Sequence, residues 1–322
     1  MWTATSLWIA SLGALAFYAA LAARDIVAGG HIAAWLLGAI VLYVGAILLL
    51  CASYFTIAWI WRARRPREVR LDVRGTLRLW WNEYRTLLGS PPRLMLYRVL
   101  VRDPDPAPAH APPVLLVHGV LCNAGVWLRL VRYLREARIG GLYSLSYGPP
   151  LESIETFAEQ LARKIESIVA ATGAPRVIVV AHSMGGLITR AYLRKHGPDR
   201  IARVVTIGTP HHGSMLAWFL PGASLTQMRP GNAWLAALNR ERLDPALRFV
   251  SLWSWHDSMV APQTSSELPG AVDVTIAGVG HNALLGDAGV FELVRSEIEA
   301  ERRADASRET TPAIAPQDRC PV

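Results

Sequence analysis

An alcohol, a carboxylate and an imidazole stand in the order Ser183, Asp257, His281 along this chain. Those groups can relay a proton away from an attacking oxygen. Ser183 lies in 176–186, R-V-I-V-V-A-H-S-M-G-G. The short apolar run at 177–180 predicts a buried parallel strand. The small residues after Ser183 predict a sharp turn, and the amphipathic stretch 187–195 predicts a helix. A serine at the apex of strand, turn and helix holds its hydroxyl proud of the sheet edge. It also puts the next N–H at a helix start. A serine is inert without a base and a site for the developing oxyanion, so the rest of the chain has to supply both.

Of nine histidines, His281 is the expected base. It follows the expected strand 272–276 in A-G-V-G-H-N-A-L-L, and loops at the carboxyl ends of strands are where an α/β sheet gathers its active groups. Gly278 and Gly280 let that loop bend the ring toward the sheet edge. His196 falls at a helix end, and His31 and His110 lie outside the candidate site. The orienting acid is expected to be Asp257, in S-W-H-D-S-M-V-A-P after the strand 249–253. Asp244 precedes its strand and so sits at the wrong end of the sheet, and Asp273 opens a strand. The oxyanion site needs two convergent donors. The Met184 N–H is one and the Val120 N–H the other, in the loop V-H-G-V-L-C-N where Gly119 permits a tight turn. His118 is expected to shape that loop by hydrogen bonding.

The elements that must position these groups alternate strand and helix from residue 113 onward. Strands are expected at 114–117, 142–147, 177–180, 204–207, 249–253 and 272–276. Helices are expected at 126–137, 151–171, 187–195 and 291–298. Such alternation predicts an α/β fold, a mainly parallel sheet with helices on both faces. The Pro-, Ala- and Asp-rich stretch 103–113 reads as a turn between two strands, and the polar residues 303–322 as a disordered tail. The region 211–241 interrupts the alternation and is rich in apolar residues, among them Met215, Leu216, Trp218, Phe219, Leu225 and Met228.

The amino-terminal part is of another kind. Residues 6–23 and 32–61 are apolar and uncharged, separated by a short polar break with Gly29 and Gly30. The second run is long enough to cross a hydrocarbon layer of about 30 Å, so 1–61 reads as a transmembrane helical hairpin. A cleaved signal peptide is the other reading of the first run, but no Lys or Arg precedes it. A buried core hairpin fails on length. Five Arg fall in the nine residues after Trp61, against one in the connecting loop. That bias places the carboxyl-terminal part in the cytoplasm. Residues 62–92 form a basic linker. Its stretch 71–88 is either an interfacial helix on the bilayer or a helix packed on the following domain, 93–302. The net charge of +8 is concentrated here, and beside an apolar segment it suits anionic lipid rather than nucleic acid. Cys51, Cys122 and Cys320 form no metal-ligand or disulfide pattern. No metal or cofactor is expected.

Over about 113–300 the chain resembles an α/β-hydrolase of the bacterial lipase/esterase kind. The matching pieces are L-L-V-H-G (115–119), A-H-S-M-G-G (181–186), I-G-T-P-H-H-G-S (207–214), M-R-P-G-N-A-W-L (228–235), Asp257 with Val260 and Pro262, and G-H-N-A-L-L (280–285). The chain departs from the commoner pattern at Ala181, where Gly is usual. The resemblance implies a Ser183–His281–Asp257 triad acting on a carboxylic ester, with 211–241 as a cap whose apolar inner face suits an acyl chain. The whole then reads as a membrane-anchored hydrolase of hydrophobic esters in a bacterial inner membrane. An acyltransferase or thioesterase would use the same triad. A non-catalytic membrane scaffold is disfavoured by the intact triad. A transport role is disfavoured because the spans hold no buried ionisable residue to mark a pathway.

Overall fold

The computed structural model describes residues 2–104 and 111–310. The centre of the expected 103–113 turn, His110, Cys320 and the end of the expected tail lie outside the described residues. Two apolar helices open the chain, α1 (Trp2–Val27) and α2 (Ile32–Ile60). Both are long and apolar enough to cross a membrane. At 29 residues, α2 is about 44 Å long. Gly29, at φ 98°, makes the turn between them. The hairpin is pinned where the Tyr18 hydroxyl donates to the Trp35 carbonyl (2.6 Å) and Trp35 Nε1 donates to Asp25 Oδ2 (2.8 Å).

Helix α3 (Val73–Leu88), capped by the Asp72 side chain, doubles back along α2. Trp80 stacks on Phe55 (4.4 Å between centroids), the Tyr84 hydroxyl donates to the Val44 carbonyl (3.1 Å), and the Tyr43 hydroxyl donates to the Leu88 carbonyl (2.6 Å). Helix α3 is buried on one side and exposed on another. Leu79, Glu83 and Leu87 recur every fourth residue and are buried, whereas Val73, Leu77 and Trp81 stay 61–76 % exposed. Two short helices follow, α4 (Ser90–Met95) and α5 (Tyr97–Leu100). Helix α5 stands where a strand was expected before the 103–113 turn. Its spacing explains the difference, because Tyr97 and Val101, four apart, share one face and both pack into the core near Trp127.

The described residues then form one six-stranded, all-parallel sheet. Its strands are β1 (Val114–Val117), β2 (Leu142–Leu145), β3 (Val177–His182), β4 (Ile201–Ile207), β5 (Arg248–Ser254) and β6 (Val272–Ile276). The helices among them are α6 (Leu128–Glu136), α7 (Ile154–Thr172), α8 (Met184–His196), α9 (Ala223–Gln227), α10 (Ala233–Arg240) and α11 (Ala288–Thr310). Successive strand residues point to opposite faces. On β3, Val177, Val179 and Ala181 face α7 and α8, while Ile178 and Val180 face α6 and α11. Helix α11 runs to Thr310, past the expected start of the tail at 303. It is tied to the sheet by Arg203, whose nearly buried guanidinium pairs with Glu297 and Glu301. Strand β2 ends at Leu145, two residues earlier than expected, because its only partner β1 is four residues long.

The strand order is β2-β1-β3-β4-β5-β6. The chain runs outward from β1 to β2 and then returns to the other side of β1. Between β1 and β3 the winding therefore reverses, and the crevice at the carboxyl ends there is where open α/β sheets place their ligands. Gly119 follows β1 and Ser183 follows β3, one on each side of that crevice. The expected cap is a 3-10 turn (Met215–Trp218) with α9 and α10. Leu216, Leu225, Met228, Leu235 and Leu238 are buried, whereas Trp218, Phe219 and Leu220 are exposed at its tip. That tip meets the end of the hairpin, with the rings of Phe219 and Trp61 6.0 Å apart.

Candidate active site

Ser183 sits between the last residue of β3 and the first of α8, at φ 55° and ψ −126°. A serine in this region costs about 1–3 kcal/mol and persists only where its surroundings fix it. Here its N–H donates to the Ile207 carbonyl (2.9 Å), and its carbonyl accepts from the Thr209 hydroxyl (2.8 Å) and the Gly186 N–H (3.1 Å). The small residues around it are demanded by close approach. A Cβ on Gly185 would lie 2.4 Å from the Val117 carbonyl oxygen, and one on Gly119 would lie 2.9 Å from Ser183 Cβ. The methyl group at Ala181 is accommodated, fully buried in the core.

His281 and Asp257 meet in the loops after β6 and β5, both nearly fully buried. His281 Nδ1 lies 2.8 Å from Asp257 Oδ2. An ionised carboxylate only accepts, so Nδ1 carries a proton, and in the neutral ring Nε2 keeps its lone pair. The other oxygen, Oδ1, accepts from the Met259 and Val260 N–H groups (2.8 and 2.7 Å), which fixes the carboxylate plane. Gly208 makes room for the pair. It adopts φ 57°, and a Cβ there would lie 3.2 Å from Asp257 Oδ2 and 3.3 Å from His281 Nδ1. Burial disfavours the charged imidazolium of His281, but the charge and hydrogen bond of Asp257, with the charge of Glu83, outweigh it, so its pKa is raised. The adjacent His182 ring lies 4.6 Å from that of His281. Its burial and the nearness of His281 hold it well below the ordinary histidine range, so it is neutral at pH 7.

On the facing side, the loop after β1 carries His118, Gly119 and Val120. The Tyr147 hydroxyl reaches the carbonyls of both His118 (2.8 Å) and Gly119 (2.9 Å), and its ring stacks on His118 at 4.1 Å. His118 Nδ1 also donates to the Gly119 carbonyl (2.8 Å). Burial holds this imidazole down to about 4, so it is a neutral fastener of the loop. Val120 is half-buried and follows directly on the residue packed against Ser183. Met184 is the first residue of α8, and its N–H is one of the four that a helix leaves without an intrahelical acceptor. The carboxyl edge of the sheet thus carries Ser183, Asp257, His281, Val120 and Met184, with Asp257 bonded to His281 and the His281 ring against His182, the residue before Ser183. Asp244 caps a turn before β5, accepting from the Ala246 N–H. Asp273 lies on β6, opposite Ser251 of β5.

Three residues of this arrangement carry no signal in the sequence. Tyr147 fastens the loop after β1 from 28 residues away. Ser258 accepts from the His281 N–H (3.2 Å) and donates to Glu83 (2.6 Å), and Glu83 reaches the loop from α3. A tyrosine just after a strand and a glutamate on an amphipathic helix are both commonplace, and only the fold brings them to the site.

Similarity to known proteins agrees with this architecture. A family model described as alpha/beta hydrolase fold matches residues 112–286. Over 168 residues the chain is 47 % identical to a triacylglycerol lipase of Burkholderia plantarii, covering 48 % of this chain and 45 % of that one. It is also 47 % identical over 122 residues to a triacylglycerol lipase of Pseudarthrobacter phenanthrenivorans, covering 34 % of this chain and 36 % of that one. The chain thus spans less than half the length of these two relatives. Among solved structures, the mature form of the lipase BlEst2 from Bacillus licheniformis superposes with a TM-score of 0.53 at 18 % identity, over 61 % of this chain and 96 % of that one.

Proposed function

Because the chain belongs to the alpha/beta hydrolase fold family, we propose that it is a membrane-anchored serine hydrolase of lipid-like or other hydrophobic carboxylic esters. The observation that carries this reading is the buried Asp257–His281 pair, 2.8 Å apart, with the His281 ring packed on His182 beside a serine at positive φ. Ser183 Oγ attacks the ester carbonyl carbon while His281 Nε2 takes its proton. Asp257 stays ionised and stabilises the imidazolium. The N–H groups of Val120 and Met184 receive the oxyanion. As the carbonyl re-forms, the C–O bond to the alcohol breaks, and the alcohol leaves with the proton from Nε2. Water then attacks the acyl-enzyme, giving its proton to Nε2. Ser183 takes that proton back as the acid departs.

The hydrophobic substrate class is supported by the kind of relatives the chain has and by its own surface. Trp218, Phe219 and Leu220 at the cap tip, next to Trp61, and Val73, Leu77 and Trp81 of α3 extend the apolar surface of the hairpin onto the hydrolase domain. In this reading α1 and α2 are the anchor, the Arg bias after Trp61 sets the domain on the cytoplasmic side, and the same Arg-rich stretch is drawn to anionic lipid at about 1 kcal/mol per basic residue near the surface. An acyltransferase or thioesterase would share the acyl-enzyme and differ in the acceptor or leaving group.

Membranes bearing the full chain, washed in alkaline carbonate, test both halves of the reading. The protein should stay in the pellet, and the pellet should release fatty acid from emulsified triacylglycerol or p-nitrophenol from its acyl esters. Protein in the wash would overturn the anchor. A pellet that holds the protein yet cleaves no ester would overturn the activity. A green fluorescent protein fused after Val322 should fluoresce, and an alkaline phosphatase fused there should be inactive. The reverse pair of results would overturn the orientation.

A further inference from the structure

Helix α3 sends the carboxylate of Glu83 against the loop that carries His281. It is fully buried. Oε1 accepts from the Ser258 hydroxyl (2.6 Å), the Asn282 N–H (3.0 Å) and the Asn282 side-chain amide (2.9 Å). Oε2 accepts from the Ala283 N–H (2.9 Å). Ser258 Oγ in turn accepts from the His281 N–H (3.2 Å). Three successive backbone donors, 281 to 283, are thus gathered on one carboxylate, the first of them through a serine hydroxyl. The loop is also shaped to this group, since a Cβ on Gly280 would lie 2.6 Å from Glu83 Oε2.

A buried carboxylate is costly unless its acceptors are filled. Among the described residues no salt bridge reaches Glu83, and neutral donors from the His281 loop and Ser258 fill it. An apolar side chain would serve better if α3 needed only to pack. We propose that Glu83 is a positioning residue for His281, through which the helix lying against the membrane anchor sets the imidazole of the hydrolase. The proposal rests on the reading of His281 as the base. It makes the anchor segment part of the catalytic machinery, since α3 is stacked along α2 at Trp80 and Tyr84 and bonded to the His281 loop at Glu83.

Two effects follow, and they can be separated. Hydrogen bonding to the loop fixes where the ring sits. The negative charge favours the imidazolium, acting with Asp257. The titratable groups facing His281 are Asp257 from the loop after β5, His182 from the end of β3 and Glu83 from α3. Those facing Glu83 from α2 are Cys51 and Tyr54.

The test uses the full chain in detergent, with p-nitrophenyl ester turnover measured across pH. Glu83→Gln keeps the shape, removes the charge and turns an amide NH₂ toward donors. It should lower kcat by up to about 10²-fold, the scale of a misplacement near 1 Å, with KM little changed. It should also move the acid limb of the kcat profile to lower pH. Ser258→Ala removes the hydroxyl that joins the His281 N–H to Glu83, with its own bond to Oε1, and keeps the Glu83 charge. It should lower kcat and leave the acid limb where it was. If Glu83→Gln folds with a lower Tm but turns over and titrates as the parent does, Glu83 is a structural staple and the proposal is wrong. If Glu83→Gln does not fold, Ser258→Ala decides, and an unchanged kcat there overturns the proposal. His281→Ala is run alongside. Turnover surviving in that variant would remove the base itself, a failure distinct from an inactive His281→Ala beside an unaffected Glu83→Gln.

Discussion

Replacing Ser183 by alanine is expected to lower the rate of ester hydrolysis by about 10⁴-fold or more while the fold stays intact. The size of the effect follows from the role. Without Oγ no acyl-enzyme forms, and only substrate binding and the oxyanion donors remain to assist water. The fold should survive because the strain at Ser183 is held by backbone and neighbouring groups. Its N–H and carbonyl are bonded to Ile207, Gly186 and Thr209, and alanine keeps all of these. Far-ultraviolet circular dichroism and the thermal midpoint should therefore match the parent. Near-normal turnover of a short-chain p-nitrophenyl ester by the folded variant would remove Ser183 from the mechanism.

Asp257→Asn is expected to cost about 10⁴-fold in kcat. An amide in place of the carboxylate presents an NH₂ or a neutral oxygen to Nδ1. The ring then has no anion to hold the Nδ1–H tautomer and none to stabilise its charged form. The pH profile should change in a set direction. His281 works as a base only when neutral. Burial lowers its pKa, but the charge and hydrogen bond of Asp257, with the charge of Glu83, raise it overall. In the parent, kcat therefore rises with pH through a midpoint above the ordinary histidine value of about 6.5, and loss of the Asp257 charge moves that midpoint down. Asp244→Asn and Asp273→Asn should change kcat little. Asp244 caps a turn at the amino end of β5, and Asp273 sits on the edge strand. An Asp244→Asn variant more damaged than Asp257→Asn would mean that the acid had been assigned to the wrong end of the sheet.

The parts of the site that announce themselves in the sequence are those built locally. An apolar run into serine and then two glycines specifies a strand, a strained turn and a helix within ten residues. The glycines matter because two backbones pass close together there, so that a Cβ on Gly185 would lie only 2.4 Å from the Val117 carbonyl oxygen. Asp257 and His281 were legible because they follow strands, and a parallel sheet puts every carboxyl end on one edge. Tyr147, Ser258 and Glu83 were not legible. Each acts across a gap that no local periodicity spans, and the bond from Asn282 to Glu83 crosses 199 residues. The hairpin was plain from its apolar length, but the return of α3 along α2 was not. Its evenly mixed Trp, Leu and Arg fit a helix on a membrane as well as one on a protein, and only the fold shows which side packs. The short α5 was misread as a strand because four residues are too few to distinguish a period of two from one of 3.6.

The central claim is that Ser183 is an activated nucleophile, and covalent capture addresses it without any choice of substrate. The full chain in detergent should react with a fluorophosphonate probe at neutral pH, and peptide mass spectrometry should find the adduct on Ser183. Denatured protein and the His281→Ala variant should label weakly, since the hydroxyl is ordinary without its base. No adduct on native protein, an adduct on a different serine, or equal labelling of native and denatured chains would contradict the account.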